Sequence, residues 1–211
     1  MTDLHELGLA VHGRRTLPEA RRRALQLMRG FPAGWWVCGG WAVDMFLGRQ
    51  TRPHADLEVT LLHRDHPLLF AHFAAWELRI PGEGNWARWQ GEELHPDVHQ
   101  LWARPDRGTD GQPEDFVRDE DYFEILLETA TRDEWVYRRD NRLRRRLIDI
   151  GREYGSTPVL APDIALLYKA KHRRPHDTAD FHAALPHLEP NDMVWLRNAI
   201  VTAHPDCDWF S

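Results

Sequence analysis

Cysteine is scarce in this chain. Cys38 and Cys207 are the only two in 211 residues, which excludes a disulfide framework. No apolar run approaches the roughly 20 residues needed to span a bilayer, so a membrane-spanning helix is not expected. Met1 to Val11 lacks the basic-then-apolar layout of a signal peptide, and a cytoplasmic protein is predicted. There is no excess of positive charge either: the formal net charge is −6, whereas general nucleic-acid binders are usually basic. A mildly acidic chain suits a cationic small molecule better. No internal repeat or low-complexity tract is found. What is present is the composition of a folded globular protein, 42% hydrophobic and 28% charged. The length fits one domain, or a catalytic domain with a small helical appendage. Ten tryptophans and thirteen histidines stand out; most of the tryptophans are expected to pack the core.

Hydrophobic periodicity orders the chain. Leu17 to Phe31 reads as a helix, with Leu17, Ala20, Ala24, Leu25, Leu27 and Met28 on its apolar stripe and Pro18 near its start. Trp35 to Cys38 suits a buried strand, broken by Gly39-Gly40. Trp41 to Leu47 is helical and stops at Gly48. Asp56 to Leu61 alternates as a strand does. Arg64 to Ala75 is helical and Trp76 to Ile80 a strand. Pro81 to Asp119, rich in Gly, Pro, Asp and Trp, reads as hairpin strands, one near Trp86 to Trp89, and a long loop. Tyr122 to Thr129 is a strand, and Glu134 to Arg138 is expected to pair with it through a turn at Thr131-Arg132-Asp133. Pro162 to Lys171, Asp177 to Leu185 and Asn191 to Ala203 are helices separated by prolines. The fold class is therefore α+β: a mixed sheet of four to six strands flanked by helices, with a small C-terminal helical subdomain. The predicted division is a catalytic domain over 1–157 and a helical subdomain over 158–211.

The chemistry-bearing segment runs from Gly39 to Glu58. Alternate side chains of a strand share a face, so Asp56 and Glu58 point the same way. Two carboxylates that close repel unless a cation lies between them, and Mg²⁺ takes one or two carboxylates together with substrate phosphates. Two such metals, about 3.5–4 Å apart, can hold the attacking and leaving oxygens of a phosphoryl displacement. A strand ending in Gly39-Gly40 and opening a helix presents bare backbone N–H groups to phosphate. Each signal alone is weak; their order along the chain is more specific.

Gly39-Gly40-Trp41-Ala42-Val43-Asp44, Leu47-Gly48-Arg49 and Thr51-Arg52-Pro53-His54-Ala55-Asp56-Leu57-Glu58 together resemble the signature of the polymerase-β-like nucleotidyltransferase superfamily. The closest likeness within it is to the aminoglycoside 2''-adenylyltransferase and lincosamide nucleotidyltransferase group. The strong likeness covers Trp35 to Leu62, and a looser one continues through Phe123 to Arg139 and Leu160 to Phe181. The resemblance implies a nucleotidyltransferase fold and Mg²⁺-dependent transfer of a nucleoside monophosphate, from ATP or another nucleoside triphosphate, to a hydroxyl. Asp56 and Glu58 would be metal ligands. Gly39 and Gly40 would lie beside the triphosphate, and Arg52 and His54 would contact phosphate or brace the site. Glu124 is the preferred third metal ligand, with Glu128 and Asp97 as alternatives. Glu128 is otherwise a general base for the acceptor hydroxyl or a strand-end charge. By the same resemblance Lys169 reaches the triphosphate. Related sequences commonly carry Asp where Glu58 stands and a polar residue where Ala55 stands.

Other constellations carry less. The pairs His95/His99, His63/His66 and His172/His176 lack the context of a zinc site. Cys38 reads as a small core residue. The basic run Arg138 to Arg146 is a solvated face or a contact with RNA phosphates or the triphosphate. The acidic stretch Glu114 to Asp121 lines a pocket for a polycation or is an exposed loop. The acceptor is expected to be a small, hydroxylated, cationic molecule such as an aminoglycoside-like antibiotic. An RNA- or protein-modifying enzyme and a non-catalytic nucleotide binder are the alternatives, no membrane partner is expected, and the oligomeric state is not legible.

Overall fold

The computed structural model describes residues 15–82, 86–108 and 112–210. The signal-peptide reading of Met1 to Val11 lies outside them.

Helix α1 (Leu17–Leu27) begins where the Glu19 carboxylate accepts the backbone N–H of Thr16 at 2.7 Å, with Pro18 in the first turn. It buries Ala20, Ala24 and Leu27, the apolar stripe read from the sequence. Strand β1 (Trp35–Val37) leads into α2 (Gly39–Leu47), which stops at Gly48 in the left-handed conformation, φ +68°. Then come β2 (Glu58–Leu62), α3 (Pro67–His72), β3 (Trp76–Ile80), β4 (Ala87–Arg88) and β5 (Gln100–Pro105). Next are α4 (Pro113–Arg118), β6 (Phe123–Glu128), β7 (Glu134–Val136) and β8 (Arg144–Arg146). Strands β9 (Gly151–Tyr154) and β10 (Thr157–Leu160) precede the helices α5 (Pro162–Lys169), α6 (Pro175–Ala184) and α7 (Pro190–Ala203).

Eight strands form one mixed sheet in the order β4-β3-β5-β6-β2-β1-β10-β9. The pairs β2/β6 and β1/β10 are parallel and the others antiparallel. The α+β class is as expected, but the sheet is wider than the four to six strands anticipated. Three strands of the sheet were not anticipated: β5, β9 and β10. β5 lies within what reads as the long loop after Pro81, because its Leu101, Trp102 and Ala103 are too short an apolar run to announce a strand. β9 is polar and pairs at the sheet edge with β10. Helix α4 was likewise not anticipated.

The expected pairing of Glu134–Arg138 with the preceding strand is corrected. Only an isolated bridge joins Ala130 to Trp135, and β7 pairs with β8 in a separate two-stranded hairpin. The arginine run supplies β8, and its side chains match acids: Arg144 meets Glu134 at 3.4 Å, Arg146 meets Asp149 at 2.8 Å, and Arg142 meets Asp140 at 2.5 Å. Of these pairs only Arg144–Glu134 crosses to β7, and the hairpin is held by its backbone ladder.

The core gathers Val37, Leu57, Val59, Leu61 and Ile125 from the middle of the sheet with Ile164, Leu166 and Leu167 of α5. Helix α5 packs on both α7 and α2, so the C-terminal helices continue the same core. No helix among the described residues is long and apolar enough to cross a membrane.

Candidate active site

The site grows from the junction of β1, α2 and β2. Gly39 takes φ +63°, and a Cβ there would collide with the carboxylate of Glu58. A Cβ on Gly40 would collide with the His54 ring and approach Arg52 at 2.8 Å. The two glycines thus let two charged side chains close over the start of α2. The loop between α2 and β2 is clamped back onto the helix by Asp44. This fully buried carboxylate accepts from Thr51 N at 3.1 Å and Thr51 Oγ1 at 2.6 Å, and lies 2.5 Å from His54 Nε2. Trp41 Nε1 donates to the Asp56 carbonyl at 2.9 Å. His54 is thereby buried as a brace of this loop.

Strand β2 starts at Glu58, two residues after Asp56, but its ladder begins one step earlier, where Glu124 N donates to Leu57 O at 2.9 Å. The parallel register of β2 and β6 sets Glu58 directly beside Glu124. Glu124 is buried; Tyr122 Oη donates to its Oε1 at 2.5 Å, Gln100 Nε2 donates to its Oε2, and it shares a hydrogen bond with Asp56. Burial, then Asp56, then Glu58 push the Glu124 carboxyl well above the usual carboxylate range. Burial of its carboxylate end and the charge of Asp56 push Glu58 up to about 7, opposed by Lys169, Arg174 and Arg52. Glu58 and Glu124, raised in this way beside Asp56, form a site that favours added positive charge.

Cations come from three other segments. Arg52 makes a two-pronged bridge to Asp180 of α6, Nε to Oδ1 at 2.9 Å and Nη2 to Oδ2 at 2.8 Å. Lys169, at the end of α5, lies between Asp180 at 2.9 Å and Asp177 at 3.2 Å. Arg174 Nε donates to Asp177 at 2.8 Å. The result is an alternating chain Arg52–Asp180–Lys169–Asp177–Arg174. A cleft of about 180 Å³ opens here, with Gly39, Glu58 and Glu128 on the sheet side, and Arg138, Arg139, Lys169 and Arg174 from the β7–β8 connection and the helical end. Arg138 and Arg139 lie over the ring of Tyr168, at 5.8 and 5.3 Å.

Glu128 closes β6 inside this cleft. Its Oε2 accepts from Trp135 Nε1 and from Tyr168 Oη, each at 2.6 Å, and its Oε1 accepts from Thr60 Oγ1 at 3.2 Å.

The structure therefore brings Gly39, Gly40, Arg52, His54, Asp56, Glu58, Glu124, Glu128 and Lys169 into one region. Asp97 is not among them: it stands exposed in a turn, 3.4 Å from His95. Two members of the acidic stretch are occupied elsewhere, Asp119 with Arg107 at 3.1 Å and Asp121 with Arg23 at 2.7 Å. Burial and the neighbouring acids push the Cys38 thiol well up, which makes it a poor nucleophile. Asp44, Gln100, Tyr122, Trp135, Tyr168 and Arg174 were missed from sequence. Tyr122, two residues before Glu124 and just ahead of β6, was the one with a readable signal, since the sequence reading starts the strand at Tyr122. The partners of Glu128 come from distant segments and gave none.

Among the described residues, no group of three or more His, Cys, Asp or Glu side chains stands around a common point as metal ligands would. The donor set nonetheless fits a hard divalent cation. It is made only of carboxylate oxygens, two of these carboxyls are raised by burial and by the neighbouring acids, and such an ion needs one or two protein carboxylates, with water and phosphate completing the shell.

Comparison with known proteins follows the same lines. The aminoglycoside-2''-adenylyltransferase family matches residues 22–120, a span that holds Gly39 to Glu58 but ends before Glu124. No curated protein matches. The solution structure of the antibiotic-resistance factor ANT(2'')-Ia is similar with a TM-score of 0.53 at 14% identity, covering 89% of this chain and 92% of that one. The crystal structure of ANT(2'')-Ia in complex with adenylyl-2''-tobramycin is similar with a TM-score of 0.51 at 15% identity, covering 86% and 94%. The chain thus resembles the aminoglycoside 2''-adenylyltransferase group in the segment that carries its glycines and first two acids, and its fold is nucleotidyltransferase-like throughout.

Proposed function

We propose that the chain is a nucleotidyltransferase that moves AMP from ATP, with Mg²⁺, to a hydroxyl of a small cationic antibiotic of the aminoglycoside class, in the cytoplasm, releasing pyrophosphate. The observation that carries this is the register of β2 and β6, which sets Glu58 beside Glu124 over Gly39, with Asp56 hydrogen-bonded into the same group. The family match over this segment and the tobramycin adduct bound by ANT(2'')-Ia support the substrate class.

Asp56 and Glu58 would hold the cation, with Glu124 as the third acid. A bound divalent ion would neutralise phosphate charge at these carboxylates. The chain's own groups do the rest. Arg52, Lys169 and Arg174 balance the triphosphate near Glu58, aligned by Asp177 and Asp180. Gly39 and Gly40 leave room for phosphate at the start of α2, and His54 braces the loop that delivers Asp56. The acceptor hydroxyl attacks the α-phosphorus in line. Its oxygen bonds to phosphorus, the bond from the α-phosphorus to the bridging oxygen breaks, pyrophosphate leaves, and Glu128 takes the hydroxyl proton. Catalysis is chiefly positioning and charge neutralisation.

The RNA-modifying alternative rests on the Arg138–Arg146 run, of which Arg142, Arg144, Arg145 and Arg146 stand beside acids while Arg138 and Arg139 line the cleft. A pyrophosphate-release screen of nucleoside triphosphates against aminoglycosides, lincosamides and RNA, with Asp56→Asn as the blank, tests the assignment. Release with an aminoglycoside that drops at least 100-fold in Asp56→Asn is expected; an unchanged rate in that variant would remove Asp56 from the site.

A further inference from the structure

Glu128 is held unevenly by its two oxygens. An ionised carboxylate offers about four lone-pair positions and donates nothing. Trp135 Nε1 and Tyr168 Oη take both positions on Oε2, at 2.6 Å each. Thr60 Oγ1 lies 3.2 Å from Oε1 but equally 3.2 Å from the Leu126 carbonyl, so its one proton is shared between them. Oε1 therefore keeps open acceptor capacity, in a residue that lines the cleft. The donors come from three places: Thr60 from β2, Trp135 from β7 and Tyr168 from α5. Trp135 is fully buried, and Tyr168 is packed beneath Arg138 and Arg139. Burial and the adjacent Glu128 push the Tyr168 hydroxyl well above its ordinary value, so it stays a donor.

We propose that Tyr168 and Trp135 are positioning residues that lock Glu128 through Oε2 and leave Oε1 to accept from the acceptor hydroxyl. This rests on the assignment of Glu128 as the base of the transfer reaction. A carboxylate pinned on Oε2 cannot swing to grip a metal with both oxygens. Its Oε1 stays able to accept from a hydroxyl, which is what proton removal from a positioned hydroxyl requires. The helical end of the chain, through Tyr168, therefore sets the geometry of an acid on the sheet.

The test uses the full chain with ATP, Mg²⁺ and tobramycin as the acceptor probe. Tyr168→Phe keeps the ring under the two arginines and removes only the donor. Its kcat is expected to fall about tenfold with KM for ATP within about twofold. Tyr168→Phe combined with Glu128→Gln is expected to be no slower than Glu128→Gln alone, since both act through one group. A native kcat in Tyr168→Phe, or losses that multiply in the double variant, would overturn the proposal. The Trp135 indole N–H resonance, assigned with Trp135→Phe, gives a second readout that needs no turnover. It must move in Tyr168→Phe, because the two donors share Oε2. If the native protein releases no pyrophosphate, the functional assignment fails, and a shifted or unmoved indole resonance still decides for or against the locked carboxylate.

Discussion

Glu58 and Glu124 face one another across two parallel strands, each raised by burial and by the other acids around it. That arrangement serves binding at the cost of stability. In the absence of divalent cation, Glu124→Gln should therefore stabilise the protein by about 1 kcal/mol, raising Tm by roughly 2–4 °C. Turnover should fall at the same time. Mg²⁺ with ATP should raise the Tm of the native chain more than that of the variant, since only a ligand bound to the folded state stabilises it. Thermal scans with and without Mg²⁺-ATP check both statements, and a lower metal-free Tm in Glu124→Gln would contradict the repulsion.

Gly39 is expected to tolerate no side chain. Its φ of +63° strains any L-residue by about 1–2 kcal/mol, and the added Cβ meets the Glu58 carboxylate as well. Gly39→Ala should lower stability by at least that amount and abolish pyrophosphate release. Gly48, also left-handed but with open space around it, provides the control: Gly48→Ala should carry the strain alone and retain turnover. Denaturant titration and the release assay on both variants separate the two effects.

Asp180 orients cations and should be felt in nucleotide binding. Asp180→Asn breaks the two-pronged bridge to Arg52 and one of the two bridges of Lys169. KM for ATP should rise about fivefold to tenfold, with a smaller change in kcat, because the side chains that face phosphate lose their alignment. Initial-rate kinetics over an ATP series measure this; an unchanged KM would show that Arg52 and Lys169 stay in place without Asp180.

Stability should fall as pH rises from about 4 to about 6, through Asp163. This acid is fully buried; Arg145 Nη2 lies against it, but neither of its oxygens receives a hydrogen bond. Burial pushes its carboxyl up to about 6 from an ordinary value of 3.8. The folded state thus holds the proton in a range where the unfolded chain has lost it. By linkage, the contribution of Asp163 drops across that window by up to about 3 kcal/mol, and Glu58 and Glu124, raised further, extend the fall to higher pH. Asp163→Asn should make the slope between about pH 4 and pH 6 shallower and leave the fall above it. Urea titrations at intervals from pH 4 to pH 7 test the sign.

Much of the site was legible because its pieces lie close together in the chain. Gly39-Gly40 and Asp56-x-Glu58 sit on a strand–helix–strand unit whose periodicities switch visibly, and the strand reading of Phe123 to Glu128 placed Glu124 and Glu128 on one face. The sheet's full width was not legible. β9 is a polar edge strand, and β5 is a short apolar run amid residues typical of loops. The pairing of β7 was misread because a three-residue strand, Glu134–Val136, can serve either neighbour, and its own pattern does not say which.

The sequence by itself determined the local pieces of the candidate site, since the glycines' backbone freedom and the alternation of a strand are local properties. Tertiary structure alone decided how those groups are held. The β2/β6 register made Glu124 the partner of Glu58, α6 turned Arg52 and Lys169 into one ion-paired chain, and Trp135 and Tyr168 fixed Glu128. Each of these contacts joins segments far apart in sequence, and no periodicity encodes such a contact. It forms only when burial of the common core brings the strands and the C-terminal helices together.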